Sequence, residues 1–297
     1  MIDHLLSPDH LDIRREAARF SDEVVRPAAA DLDESESYPS EIYDRMAELG
    51  LFGITVPEED GGAGLDVASY ATVMEHLARG YASVADQCGL VELLGTLLSR
   101  HGTDEQKKLY LGPTLKAKRR SAYAITEPQA GSDVSGIQTT ARKTPEGWRL
   151  TGEKIWIHNA PVCDYAAVLT RTDPEAGRRG MSVFLVDMGL PGVTQGAKEH
   201  KMGQRASQVG ALHFDDVLLP AHALLGGEGE GFRMMMSSLD KGRVGIASLA
   251  AGILQAALDA ATDYSKTRKQ FGQAIADFQG VQWMLADMAK DLSLIHI

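Results

Sequence analysis

The order in which the hydrophobic period changes constrains this chain most. Up to about residue 120 apolar side chains recur at helical spacing, from 121 to 219 they form short β-rich runs, and from 246 the helical period returns. In the first block Ile13, Ala17, Val24 and Val25 lie near helical spacing. Ser40 precedes a run with Ile42, Tyr43, Met46 and Leu49 on one side, which Gly50 is placed to end. Pro57–Gly64 is expected to be a loop, two helices are expected over about 66–79 and 82–101, and Thr103-Asp104-Glu105-Gln106 reads as a capping box. Pro113 helps close this block. In the second block the strand pieces are Trp148–Leu150, Ile155–Ile157, Tyr165–Thr170, Met181–Asp187 and Ala211–Leu219. The run Gly226–Gly231 reads as a flexible crossing. In the third, Ile246, Leu249, Ile253, Ala257, Ala260 and Tyr264 form one stripe, and Phe278, Val281, Leu285, Met288 and Leu292 another.

Segregated blocks of this kind indicate an α+β multi-domain chain, not an alternating parallel sheet. The expected division is an N-terminal helical domain (1–120), a central antiparallel β domain (121–232) and the start of a C-terminal helical bundle (233–297). No stop signal follows the last stripe before Ser293–Ile297, so the bundle is expected to be cut short.

Composition narrows the function. Thirty Lys+Arg against 41 Asp+Glu give a formal charge of −11, which argues against a nucleic-acid or anionic-membrane surface. Two cysteines, Cys88 and Cys163, make no disulfide framework and point to a reducing compartment. The start, Met1-Ile2-Asp3-His4, carries no targeting pattern, and no stretch reads as the ~20 apolar residues that cross a bilayer. The expected location is the cytoplasm. Dinucleotide, phosphate-loop, zinc-protease and serine-hydrolase motifs are all absent, and the scattered histidines support no metal site.

Four polar, glycine-containing segments remain: Tyr123–Asp133, Lys154–Asn159, Leu239–Arg243, and Thr267–Gly272 with Gln279. Singly, each has an ordinary structural explanation as a turn, a core strand or a solvated helix end. Their order, on this domain pattern, has none.

In that order the chain resembles the acyl-CoA dehydrogenase family over about residues 5–292. Thr126-Glu127-Pro128 through Gly131-Ser132-Asp133 is similar to the family's flavin and substrate loop. Val217–Pro220 with Leu224–Phe232 resembles its crossing into the bundle. Arg268-Lys269-Gln270-Phe271-Gly272 with Gln279 resembles its R-x-x-F-G…Q signature. The resemblance implies FAD as cofactor. Tyr123, Ile125 and Thr126 would lie against the flavin ring, and Ser132 would touch both the cofactor and the thioester's pantetheine arm. Trp156 would cover the ring, with Ile157 beside it among the cofactor-binding residues. Asp240 and Arg243, at the start of a helix, would hold coenzyme A, and Arg268, Gln270, Phe271 and Gln279 would reach a neighbouring subunit's FAD. That last role implies a homotetramer built as a dimer of dimers. One departure is His158, where the family has Thr or Ser: an imidazole can still donate but is bulkier and titrates near neutral pH.

The reaction so implied is α,β-dehydrogenation of an acyl-CoA substrate in fatty acid β-oxidation, with electrons passed to an electron-transferring flavoprotein. Leu239–Ser248 resembles the short-chain and short branched-chain members. The general base should be a desolvated carboxylate of raised pKa. In the isovaleryl branch a Glu precedes the arginine matching Arg243, but this chain has Gly242. In most other branches that Glu comes later, so the base is expected beyond residue 297. Glu92, Glu127 and Glu153 are not assigned to it. The alternatives are a non-catalytic fragment that binds FAD or acyl-CoA, and an acyl-CoA oxidase-like flavoenzyme of the same fold.

Overall fold

The computed structural model describes residues 6–296; the Met1–His4 start and Ile297 lie outside the described residues. Helix α1 (Pro8–Phe20) is capped by the Ser7 hydroxyl and passes through a π turn at Ser21–Val25 into α2 (Arg26–Ser35). Pro27 has no N–H to give, and the wide turn absorbs that loss without breaking the helix. Helices α3 (Ser40–Glu48), α4 (Val67–Gly80) and α5 (Ala82–His101) follow the expected spans. Thr103 caps α6 (Asp104–Gln106) through the reciprocal box read from the sequence. A second π turn, Lys107–Leu111, leads into α7 (Gly112–Leu115), which holds Pro113 in its first turn and ends two residues after it.

Eight strands form one sheet: β1 (Ser121–Ala124), β2 (Thr140–Thr144), β3 (Gly147–His158), β4 (Tyr165–Arg171), β5 (Met181–Asp187), β6 (Val193–Gln195), β7 (Val209–Leu219) and β8 (Leu224–Leu225). Their order is β6-β7-β3-β2-β4-β5-β8, with β1 beside β4. The sheet is mixed where an antiparallel one was expected. β1 runs parallel to β4, and β2 meets β4 in parallel at Thr140 and Arg171. These pairings join segments some 30–44 residues apart, beyond the reach of local pattern.

Alternation along β4 and β5 explains two cores. Tyr165, Ala167, Leu169, Val183 and Leu185 face the helices, while Ala166, Val168, Phe184 and Val186 face Trp148, Leu212 and Phe214. Both strands are therefore covered on both sides, which is why they read as unbroken apolar runs.

The Gly226–Gly231 crossing is a packed turn, not a flexible one. Gly229 donates to Ser182 Oγ at 2.9 Å, and a Cβ on Gly231 would lie 2.6 Å from the Ser182 carbonyl carbon. Helix α8 (Gly231–Thr267) starts there and packs on α4 and α5. A hairpin of β9 (Lys269–Gln270) and β10 (Gln273–Ala274) leads to α9 (Gln279–His296).

The buried face of α8 is not the stripe read from sequence. Leu249 is buried, but Ile246, Ile253 and Tyr264 are exposed. Small residues set the rotation instead: a Cβ on Gly245 would lie 2.1 Å from Tyr70 Oη, and one on Gly252 2.1 Å from the Glu75 carbonyl oxygen. Among the described residues α8 is also the one helix long and apolar enough to cross a membrane, with no charge from Val244 to Leu258. Here it carries the α4–α8 contact, and Asp259 at its far end pairs with Arg79 of α4 at 3.0 Å.

Candidate active site

The site begins where β1 ends. Tyr123 donates its hydroxyl to the Met235 carbonyl of α8 at 2.8 Å, tying sheet to helix. Ile125 is buried in the larger core and Ile157 in the smaller one. Their side chains therefore pack inward, into the protein core. Half-buried Thr126 accepts the Ile155 N–H on its carbonyl at 2.9 Å, which brings the 126–133 loop and β3 together.

Glu127 and Lys154 hold that loop from below. Glu127 and Ala130 exchange backbone hydrogen bonds at 3.0 Å, closing the turn. The buried Glu127 carboxylate accepts from the Gln138 N–H at 2.6 Å, the Thr139 N–H at 3.0 Å, Gln129 Nε2 at 2.7 Å and Lys154 Nζ at 2.7 Å. Lys154 also donates to the Ile125 carbonyl at 2.9 Å. Burial pushes the Glu127 carboxyl up, but the Lys154 charge and these hydrogen bonds outweigh it and leave the group below its ordinary value. Burial pushes Lys154 down to about 8, with Glu127 offsetting only part of that. The outer side of the loop, Gly131-Ser132-Asp133, is exposed. The sequence reading missed this clamp, whose signal was a lysine at an inward strand position.

A β-bulge then re-aims β3. Lys154 opposes Leu212 and Ile157 opposes Gly210, so β3 holds one residue more than β7 between these pairs. Trp156 sits on the bulge at φ 57° with its side chain 61% exposed, a conformation a tryptophan takes only where surroundings enforce it.

Two residues on, His158 ends the strand. Its Nδ1 lies 3.2 Å from Asp86 Oδ2 of α5, while its Nε2 is buried without a hydrogen-bond partner. Burial lowers the imidazole pKa, Asp86 pulls it up in part, and Lys201 lowers it. Asn159 is fully buried and donates through Nδ2 to Gln87 Oε1 at 3.1 Å and the Ser121 carbonyl at 3.0 Å, fixing the end of β3 to α5 and β1.

Asp240 and Arg243 are exposed on α8 and pair with each other. They stand in the third and fourth turns, not at the helix start, because the helix begins at Gly231. Lys241 turns inward and donates to Glu92 Oε1 at 3.0 Å and to Thr96 Oγ1 at 2.5 Å. Glu92, 1% exposed, thus lies in an interhelical ion pair. Arg268, Gln270, Phe271 and Gln279 are exposed on and beside the β9–β10 hairpin, Phe271 to 94%. Among the described residues no hydrogen bond joins this hairpin to the 126–133 loop, and the Asp240–Arg243 pair on α8 bonds to neither, so the expected site residues fall into three sets. The described residues contain no group of three metal-ligating side chains.

Residues 7–118, 122–217 and 229–296 match the N-terminal, middle and C-terminal domains of acyl-CoA dehydrogenase. The short-chain-specific acyl-CoA dehydrogenase of Clostridium acetobutylicum is 39% identical over 281 residues, 93% of this chain and 73% of that protein. The CarC subunit of the caffeyl-CoA reductase–Etf complex of Acetobacterium woodii is 43% identical over 283 residues, 94% and 74% of the two chains. Among solved structures, butyryl-CoA dehydrogenase from Megasphaera elsdenii superposes with a TM-score of 0.92 at 38% identity, covering 97% of this chain and 77% of that one. PigA with FAD and proline superposes with a TM-score of 0.92 at 30% identity, covering 97% and 76%. The chain belongs to the acyl-CoA dehydrogenase family, whose members are FAD-dependent oxidoreductases.

Proposed function

We propose that this protein dehydrogenates a short- or branched-chain acyl-CoA to the trans-2-enoyl-CoA, as in fatty acid β-oxidation, and passes the electrons to an electron-transferring flavoprotein. The observation that carries the reading is the junction of the Thr126 loop with the Trp156 bulge. Half-buried Thr126 stands at this junction with exposed Trp156, and His158 follows two residues on. Nothing lies within 4 Å of where a Cβ on Gly131 would stand, which leaves room along the loop. These residues fit a flavin. The short-chain relative and the butyryl-CoA dehydrogenase structure support the acyl length, and the Etf-linked relative supports the acceptor.

In this reading FAD supplies the acceptor for the β-hydride. Thr126 and His158 offer hydrogen bonds to its polar edge, and Trp156 keeps water from its face. Tyr123 braces β1 against α8 instead of stacking. Ser132 and the Asp240–Arg243 pair hold the pantetheine and nucleotide parts of the thioester. Arg268, Gln270, Phe271 and Gln279, exposed on their own chain, serve the FAD of another copy in a tetramer built as a dimer of dimers. An Arg fork suits a pyrophosphate and an aromatic ring suits an adenosine. Cys88 and Cys163 are buried free thiols, in keeping with the cytoplasm.

A second reading has its own observation. The buried or half-buried carboxylates of Glu92, Glu127 and Asp86 are engaged by Lys241, Lys154 and His158 respectively, so none is assigned as the base. A chain that binds FAD and acyl-CoA without redox chemistry matches that fact. Anaerobic mixing of the FAD-loaded protein with butyryl-CoA separates the two. Bleaching of the flavin, reversed by electron-transferring flavoprotein, supports the dehydrogenase; a spectral shift without bleaching supports the binding platform. Reoxidation by air with release of peroxide would favour an oxidase.

A further inference from the structure

The Thr126 loop follows the C-terminal end of β1, and a cavity lies at the other end of that strand. It occupies about 520 Å³ between α3, α5 and α7, where β1 and β4 begin, and none of its lining residues belongs to the segments read as holding flavin or thioester. That volume is in the range of small-molecule sites. Aromatic rings form one wall: Tyr38 meets Tyr43 edge-on with centroids 5.0 Å apart, and Tyr43 lies 6.4 Å from Phe52. The charged lining residues are already paired. Lys118 reaches Asp44 at 3.1 Å, Arg120 grips Asp164 through Nε and Nη2 at 3.2 and 3.1 Å, and Arg119 pairs with Asp187. Two uncharged polar groups are left open. Gln87 of α5 is 3% exposed, and its Oε1 accepts from Asn159 Nδ2 at 3.1 Å. Its Nε2 has no hydrogen-bond partner among the described residues and is not one of the enclosed polar atoms, so the amide opens into the cavity it lines. The Tyr38 hydroxyl also lacks a hydrogen-bond partner among the described residues, and Arg120, Asp164 and Asp44 lie around it.

We propose that this cavity is a second ligand site, separate from the flavin platform, which takes a small, uncharged, planar ring compound carrying an amide or ring carbonyl. The paired charges explain why the ligand is uncharged: an ion entering here would leave its hydration without gaining a free counter-charge. The rings of Tyr38, Tyr43 and Phe52 favour a flat aromatic partner over a puckered one. Gln87 Nε2 sets the polar requirement, because an amide nitrogen only donates and so calls for a carbonyl oxygen. The side chain cannot reverse itself to offer its oxygen instead. Asn159 is fully buried and spends its Nδ2 on Gln87 Oε1 and on the Ser121 carbonyl, so a reversed Gln87 would set donor against donor. The Tyr38 hydroxyl can give or take a hydrogen bond and thus suits either edge of an amide. The inference is independent of the functional reading above.

The test is calorimetric titration of the full chain with benzamide, run with and without FAD. One site of equal affinity in both states is expected. Benzoate keeps the ring but adds a charge, and cyclohexanecarboxamide keeps the amide but loses planarity; each should bind about tenfold more weakly or worse. Gln87→Glu keeps an oxygen for Asn159 while removing the donor, and should weaken benzamide by about tenfold or more. Tyr38→Phe removes a single hydroxyl and should weaken it by about threefold to tenfold. That variant carries the test should Gln87→Glu fail to fold. Wild-type protein that shows neither heat nor a shift in melting temperature with millimolar benzamide overturns the site. Affinity unchanged in the variants, or binding lost when FAD is present, overturns its location. Benzoate binding as tightly as benzamide overturns the uncharged class, and cyclohexanecarboxamide doing so overturns recognition of a planar ring.

Discussion

Lys154 Nζ lies 2.7 Å from Glu127 Oε1, and both side chains are shut away from solvent, 0% and 2% exposed. The pair sits under the loop that carries Thr126 and Ser132, so its geometry decides where those residues stand. Removing one partner leaves an uncompensated buried charge, at a cost of about 3–5 kcal/mol. Lys154→Met should therefore lower stability by that order in urea titration, while Lys154→Met with Glu127→Gln should recover much of the loss. Equal stability of single and double variants would show that the charge is not what matters.

The same carboxylate sets an acid limb. Glu127 is held below its ordinary 4.5 in the folded protein, so the stability it contributes is complete above that value. It is lost as pH falls through the folded value. Glu127→Gln should flatten the dependence of unfolding free energy on pH below 4.5, measured by denaturant melts at several pH values. An unchanged acid slope would assign that limb to other carboxylates.

Close approach of α8 to α4 rests on Gly245. A side chain there meets Tyr70, which is 1% exposed and has no room to retreat. Gly245→Val should cost on the order of 1–3 kcal/mol through overpacking. Gly280 in α9 has nothing within 4 Å of its Cβ position, so Gly280→Ala should leave the melting temperature unchanged or raise it. A pair of thermal melts checks both.

Ile246, Ile253 and Tyr264 open one side of α8 to solvent, and Trp283 and Met284 do the same on α9. Contiguous apolar surface of this kind marks an association face. Sedimentation should show mass rising with protein concentration, and Ile246→Lys with Ile253→Lys should shift the distribution to smaller species. A monomer at every concentration would contradict the oligomer proposed above.

What the sequence disclosed follows the range of the forces involved. The Thr103 box and the unbroken runs of β4 and β5 were legible because capping and two-sided burial act within a few residues. The rotation of α8 was not, since a helix packed through glycines buries the face that looks least hydrophobic. The bulge at Trp156 needs the register against β7, and the parallel run of β1 needs β4, neither of which local pattern contains. The 126–133 loop and Trp156-Ile157-His158 were singled out through their resemblance to a family pattern, since each segment alone reads as an ordinary turn or strand. That Ile125 and Ile157 turn inward, that Lys154 backs Glu127, and that Asp86 reaches His158 across 72 residues are facts of tertiary packing.

The central claim is that the Thr126 loop and the Trp156 bulge hold FAD against an acyl thioester. The most direct measurement is the flavin content of the purified protein after incubation with FAD, followed by its visible spectrum as butyryl-CoA is added without oxygen. The account predicts close to one FAD per chain and a saturable spectral change with butyryl-CoA. Trp156→Ala and Thr126→Ala should weaken both. A protein that retains no flavin, or a flavin spectrum indifferent to acyl-CoA, would contradict it.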